Sequence, residues 1–146
     1  MEQIQRQGEL QFWRLNLKPG KPLAFGRIDN CWIFGLPGNP VSTIITALLL
    51  ARPAIAFLAG VNLEKPLTLS AVLATPIQHS PGRTEFQRGQ FHQDETGFKV
   101  SHTGEQGSNR FSSFRHANCL IEIEKEKGNL QVGDVVNILP LVNLLH

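Results

Sequence analysis

Leu17 to Ser42 reads LKPGKPLAFGRIDNCWIFGLPGNPVS, and two proline-framed turns divide it: KPGKP from Lys18 to Pro22 and LPGNP from Leu36 to Pro40. Between them lie two short apolar runs, Leu23 to Phe25 and Cys31 to Phe34. Each proline fixes its own φ, and Gly20 permits a positive one, so KPGKP holds two lysines on a stiff frame. Asn39 is a good N-cap and Pro40 suits the first helical position, which predicts a helix from Val41. A helix start exposes unpaired N–H groups and attracts anions. A basic turn and a helix start joined by two strands therefore predict a pocket for phosphate or another anion.

Working outward, Phe12 to Leu17 alternates, with Trp13, Leu15 and Leu17 on one face and Arg14 and Lys18 on the other. The plainer reading of those two cations is a solvated face. Residues 1 to 11 show no apolar periodicity. Cys31 to Phe34 is apolar on both faces, the pattern of a central strand covered on both sides. Strand, tight loop and helix are half of a βαβ unit, so this part reads as α/β. Ligands of open α/β sheets sit at strand carboxyl ends beside helix starts, which is where Gly35 to Pro40 falls. Three strands and one long helix are too few for a complete α/β domain, which points to a longer protein or to a partner that completes the sheet. The helix is expected to reach about Leu50, to kink or end at Pro53, and to continue helically from Ala54 toward Gly60, a plausible C′ residue. Val61 to Pro66 reads as a linker.

After Pro66 the period changes. Leu67 to Ala74 alternates, and Pro76 and Ser80-Pro81-Gly82 mark turns. Thr84 to Phe91 reads as a strand with Phe86, Arg88 and Gln90 on one face. Asp94-Glu95-Thr96-Gly97 signals a hairpin into Phe98 to Ser101, and Cys119 to Ile123 and Val135 to Leu139 complete the set. Short strands at turn-separated intervals predict a small barrel or sandwich. The chain thus divides into an α/β piece, residues 1 to 62, and an all-β domain, residues 63 to 146.

The bulk composition narrows the function classes. A chain of 146 residues with 41% hydrophobic content buries a real core, and a net charge of +2 does not mark a nucleic-acid binder. The two cysteines, Cys31 and Cys119, sit in apolar runs and read as small buried hydrophobes. Val41 to Leu58 is interrupted by Arg52 and Pro53, which favours a buried helix over a membrane span. A polar N-terminus carries no signal peptide, and the chain reads as cytoplasmic.

No nucleophile elbow, Walker loop or GxGxxG occurs. The five histidines show no zinc spacing, so no metal ligand is assigned within this chain. Glu122, Glu124 and Glu126 alternate with apolar neighbours and read as the wet face of an edge strand. What remains are anion-binding elements: Arg14, Lys18, Lys21, the helix start, Arg83 and Arg88, and the loop Gly104 to Ser108, whose glycines can form a nest of N–H groups or an ordinary turn.

RLNLKPGKPLAFG, IFGLPGNPVS, PGRTEFQRG and TGEQGSNRFSSF with Ala117-Asn118-Cys119 run in order over about residues 12 to 138. Together they resemble the C-terminal part of the molybdopterin molybdenumtransferase family, which includes the E domain of gephyrin. The resemblance implies the C-terminal part of a molybdopterin-binding α/β domain followed by a small β-barrel domain. It implies that Lys18, Lys21 and the basic position Arg14 face the phosphate or molybdate side of a pocket, with Lys18 and Lys21 the best candidates for catalysis. Pro37, Gly38, Asn39 and Pro40, with Ser42, would shape the pterin site, and Arg88 and Ser108 would approach from the barrel. The implied reaction inserts molybdenum from molybdate into adenylylated molybdopterin with release of AMP, aided by Mg2+ whose ligands lie outside this chain. Family members are homodimers at full length, and neither nucleic acid nor membrane is an implied partner. Arg14 stands where many members have lysine, which keeps the charge and gives up a neutral base. The Gly- and Ser-rich pterin loop and the acidic metal ligands of the family have no counterpart here, so this chain alone is expected to be inactive. Two other readings remain: a non-catalytic scaffold module of the same fold, and an inactive truncated remnant.

Overall fold

The computed structural model describes residues 9–13, 17–18, 23–104 and 111–145. Strand β1 spans Glu9–Trp13 and β2 only Leu17–Lys18, while β3 (Leu23–Ile28) and β4 (Cys31–Gly35) form a hairpin. Asp29 in its two-residue turn takes a left-handed φ of 51°, which a short polar side chain tolerates. β1, β3 and β4 make a three-stranded antiparallel sheet with β3 at its centre. Among the described residues the apolar run Cys31 to Phe34 is therefore an edge strand, not a central one covered on both faces. Cys31 and Trp32 are exposed, and Ile33 and Phe34 half-buried. Trp32 stacks on Phe25 within the sheet, with ring centroids 5.1 Å apart, and this contact takes up part of its apolar surface. The alternation read across Phe12 to Leu17 is also divided: β1 begins earlier, at Glu9, and Leu17 belongs to the other sheet. Arg14 and Leu15 lie outside the described residues.

The helix runs from Pro40 to Leu58 as α1 (Pro40–Thr46), a π-helical turn (Ala47–Ala51) and α2 (Arg52–Leu58). Pro53 has no N–H to give, and the helix absorbs it by widening just ahead of it, with the Arg52 N–H bonded to the Ala47 carbonyl. Gly60 ends the helix with φ 75°, as a C′ glycine does. These 19 residues have the length and apolar character that would also cross a membrane, and 28% of an 18-residue window within them is buried. Burial is confined to its earlier part: Val41, Ile45 and Ala51 are buried, whereas Ile55, Phe57 and Leu58 toward its end are exposed.

The second sheet holds β5 (Leu69–Leu73), β6 (Thr84–Asp94), β7 (Gly97–His102), β8 (Cys119–Ile123) and β9 (Val135–Pro140). β6 pairs with β7, β7 with β5, β5 with β9, β9 with β8, and β8 again with β6, which closes a five-stranded barrel. The fold is thus α/β followed by a β-barrel. Closure removes edges, so β8 is paired on both sides and Glu122 does not lie on an edge strand. It is half-buried, and burial, with Glu124 beside it, raises its carboxyl pKa. Glu124 and Glu126 fall beyond the strand and are exposed.

The period of two along β6 assigns its two faces. Glu85, Gln87 and Gly89 lie opposite Ile123, Ile121 and Cys119. Those three partners belong to the barrel core with Leu73, Val100 and Ile138. Phe86 and Arg88 lie opposite Glu122 and Leu120 on the outer face. There Phe86, Leu120 and Leu139 pack with Val41 and Ile45 of α1 and Leu144 of the short helix α3 (Leu141–Leu145). A guanidinium N–H of Arg52 donates to the Leu144 carbonyl at 2.6 Å and ties the long helix to the end of the chain. Finally β2 adds to β6 in parallel, Leu17 opposite Thr84 and Lys18 opposite Glu85.

Candidate functional site at the seam of helix and barrel

The helix start forms as its residues dictate. Asn39 caps it in extended conformation, and its Oδ1 accepts from the Val41 N–H at 3.1 Å and the Ser42 N–H at 3.3 Å. The Thr43 N–H reaches the Asn39 carbonyl at 2.8 Å. The Thr43 hydroxyl donates to the Asn39 carbonyl at 2.7 Å and also reaches the Pro37 carbonyl. Pro40, the first helical residue, has no N–H at all. The anion attraction expected of unpaired N–H groups is therefore not available here, because the cap consumes the donors of the first turn. Ser42 is buried, and Gly38 and Pro40 are exposed with Pro37 and Asn39 half-buried between them. A Cβ built on Gly38 would meet nothing within 4 Å, so the space beside this glycine is open.

Lys18 lies on β2 with its side chain 52% exposed, and its Nζ stands 3.1 Å from both Oε1 and Oε2 of Glu85. Arg14 and Lys21, the cations read beside it, and Ser108 of the glycine loop lie outside the described residues. Arg88 is fully buried on the outer face of β6, with its guanidinium 5.6 Å from the Phe114 ring centroid. Burial pulls its pKa down, and the negative charge of Glu85 opposes that. Arg88 thus sits in the packed seam, and its own side chain has no solvent-facing surface with which to form an open rim.

Sequence reasoning missed Glu85, Gln87 and His79. Glu85 is 4% exposed although it points into an apolar barrel. Its Oε1 also accepts from Gln87 Nε2 at 3.2 Å, and His79 Nε2 lies 3.8 Å from its Oε2. The His79 ring is held between the carbonyls of Lys127 (2.9 Å) and Arg83 (3.0 Å). The signal was present: once Phe86 and Arg88 are given one face of β6, Glu85 is a carboxylate on the core face, where a charge persists only when paired. Lys18, Gln87 and His79 all gather around this one carboxylate. Among the described residues no three His, Cys, Asp or Glu side chains converge as metal ligands, so this part of the chain does not fit a resident divalent cation.

Residues 70–141 match the MoeA C-terminal region (domain IV). The chain is 42% identical over 144 residues to the molybdopterin molybdenumtransferase of Haemophilus influenzae, covering 97% of this chain and 36% of that protein. It is 34% identical to gephyrin of Dictyostelium discoideum, covering 93% of this chain and 22% of that protein. The structure superimposes on a molybdopterin biosynthesis MoeA protein of Pyrococcus horikoshii with a TM-score of 0.72 at 27% identity, over 93% of this chain and 33% of that one. The chain thus spans between about a fifth and about a third of the length of these relatives. The matched region, the identity across almost the whole chain and the shared fold place it, as a C-terminal portion, in the molybdopterin molybdenumtransferase family.

Proposed function

We propose that this chain acts in molybdenum cofactor biosynthesis, as the C-terminal portion of an enzyme that inserts molybdenum from molybdate into adenylylated molybdopterin with release of AMP. The observation that carries this reading is the 42% identity to the Haemophilus influenzae molybdopterin molybdenumtransferase, which spans both the KPGKP–LPGNP half and the barrel. Lys18 is the described cation that supports it: a half-exposed ammonium has donors to offer an oxyanion, and an ammonium in a site shielded from water stabilises charge as it develops on phosphate or molybdate oxygens. Lys21 and Arg14 add charge to the same segment, and Gly38 leaves open space in which a flat ring could lie against the backbone. Arg88 acts from beneath, by holding the barrel wall and Phe114 in place. On this reading Mg2+ is held by residues outside this chain, and the isolated 146 residues bind without turning over. The full-length enzyme would work in the cytoplasm as a homodimer, without nucleic acid or membrane.

The test is equilibrium binding of adenylylated molybdopterin to the chain and to Lys18→Ala and Lys21→Ala. Each substitution is expected to weaken binding about tenfold, the loss of one charge-assisted hydrogen bond. Binding indifferent to both, or none by the unaltered chain, removes the pocket.

A further inference from the structure

We infer that Glu85 is the positioning residue for Lys18: a carboxylate inside the barrel mouth that fixes where the lysine ammonium stands. This rests on the reading that Lys18 meets the ligand, and it assigns a role to a residue on the other side of the seam. Three observations carry it. First, among the described residues Lys18 is set directly opposite Glu85, by the parallel pairs Leu17–Thr84 and Lys18–Glu85 that join β2 to β6. Second, the Glu85 side chain is 5% exposed and that of Lys18 52%, so the anion is fixed by the core and the cation is the partner that comes to it. Third, Glu85 is itself locked. Gln87 Nε2 donates to Oε1 at 3.2 Å, and His79, caught between two backbone carbonyls, lies 3.8 Å from Oε2.

A buried carboxylate is stable only when its charge is matched, and a single rigid acceptor pair holds a flexible lysine far better than solvent does. The ammonium has three N–H donors. Glu85 engages it from the barrel side, and the exposed half of the side chain leaves a donor for an oxyanion. The barrel thus supplies a fixed point against which the ammonium is set.

Two measurements decide this. Amide exchange at Leu17 reads the seating without any ligand. Glu85→Gln, which keeps the shape and removes the charge, is expected to speed that exchange at least tenfold, and unchanged exchange overturns the proposal. If Glu85→Gln does not fold, Lys18→Met asks the same question from the other partner, with the same two outcomes. The second measurement is affinity for adenylylated molybdopterin in a double-mutant cycle. Glu85→Gln is expected to weaken binding at least fivefold in the unaltered chain and to change nothing further in Lys18→Ala. Equal losses in both backgrounds show a general structural effect and overturn the positioning role. Failure of the unaltered chain to bind removes the pocket reading instead, and the exchange result then decides the seating on its own.

Discussion

The Lys18 ammonium and the Glu85 carboxylate meet at 3.1 Å across the seam between the helix-bearing half and the barrel, although 67 residues separate them in sequence. The contact joins an exposed cation to a buried anion, so the two partners are not equivalent. Truncating the lysine strands a buried charge, whereas neutralising both leaves little behind. Lys18→Ala is expected to destabilise the chain by about 1–3 kcal/mol, below the full cost of breaking a buried pair because Gln87 still serves Glu85. Adding Glu85→Gln to it should restore part of that loss. Urea unfolding measures both, and additive losses would contradict the asymmetry.

Asn39 closes the first turn of the long helix by accepting two backbone N–H groups. Asn39→Ala is expected to cost about 1 kcal/mol, and Asn39→Asp to cost far less because the acceptor is kept. Equal stability of all three proteins by denaturant titration would mean that the cap contributes nothing here.

Gly89 of β6 lies opposite Cys119 of β8. A Cβ at this position would stand 2.7 Å from Ile121 Cγ1 and 3.0 Å from Cys119 Sγ. Gly89→Ala should therefore destabilise by about 1–3 kcal/mol through overpacking. In an Ile121→Ala background, which opens that space, the same substitution should cost much less. A thermal melt of the four proteins tests the coupling, and strict additivity would argue against a clash.

Cys31 is exposed and Cys119 fully buried. Burial pushes the Cys119 thiol up to about 12. Alkylation of the native chain is expected to add one label and of the unfolded chain two, as read by intact mass. The folded pKa lies above the unfolded value of about 8.5. The folded state therefore favours the protonated thiol, and stability should fall as pH rises from about 8.5 toward 12. Cys119→Ala should flatten that fall, and an unchanged slope would assign it to another group.

Asp94 accepts from Lys99 Nζ at 2.6 Å and from the Thr96 N–H and hydroxyl at 2.8 and 2.6 Å. These donors hold its carboxyl well below the usual carboxylate range. The folded pKa lies below the unfolded value of about 3.9, so the stabilisation is present above that pH and is lost as pH falls below it. Asp94→Asn should lower the melting temperature at pH 7 and converge on the unaltered chain in acid. A difference that does not change with pH would show that charge plays no part in this turn.

The amino-acid sequence determined the local elements. Asn39-Pro40 announced the helix, Pro53 the disturbance within it and Gly60 its end, because caps and breakers act through backbone groups only a few residues away. The alternation after Pro66 likewise announced the barrel strands, since a period of two is a property of the strand itself. Tertiary structure decided which partners these elements meet. Cys31 to Phe34 carries the apolar pattern of a central strand and, among the described residues, lies at an edge, since pattern records what a strand can bury and not which neighbours are present. The run from Phe12 to Lys18 contributes to two sheets, with Lys18 in the second. The helix start spends its N–H groups on its own cap. Above all, Lys18 stands beside Glu85 only because β6 enters the barrel with odd-numbered residues inward, and that register is fixed by closure onto β8. A cation and a carboxylate 67 residues apart have no local signature, and their pairing follows from the desolvation of a charge that only the assembled barrel imposes.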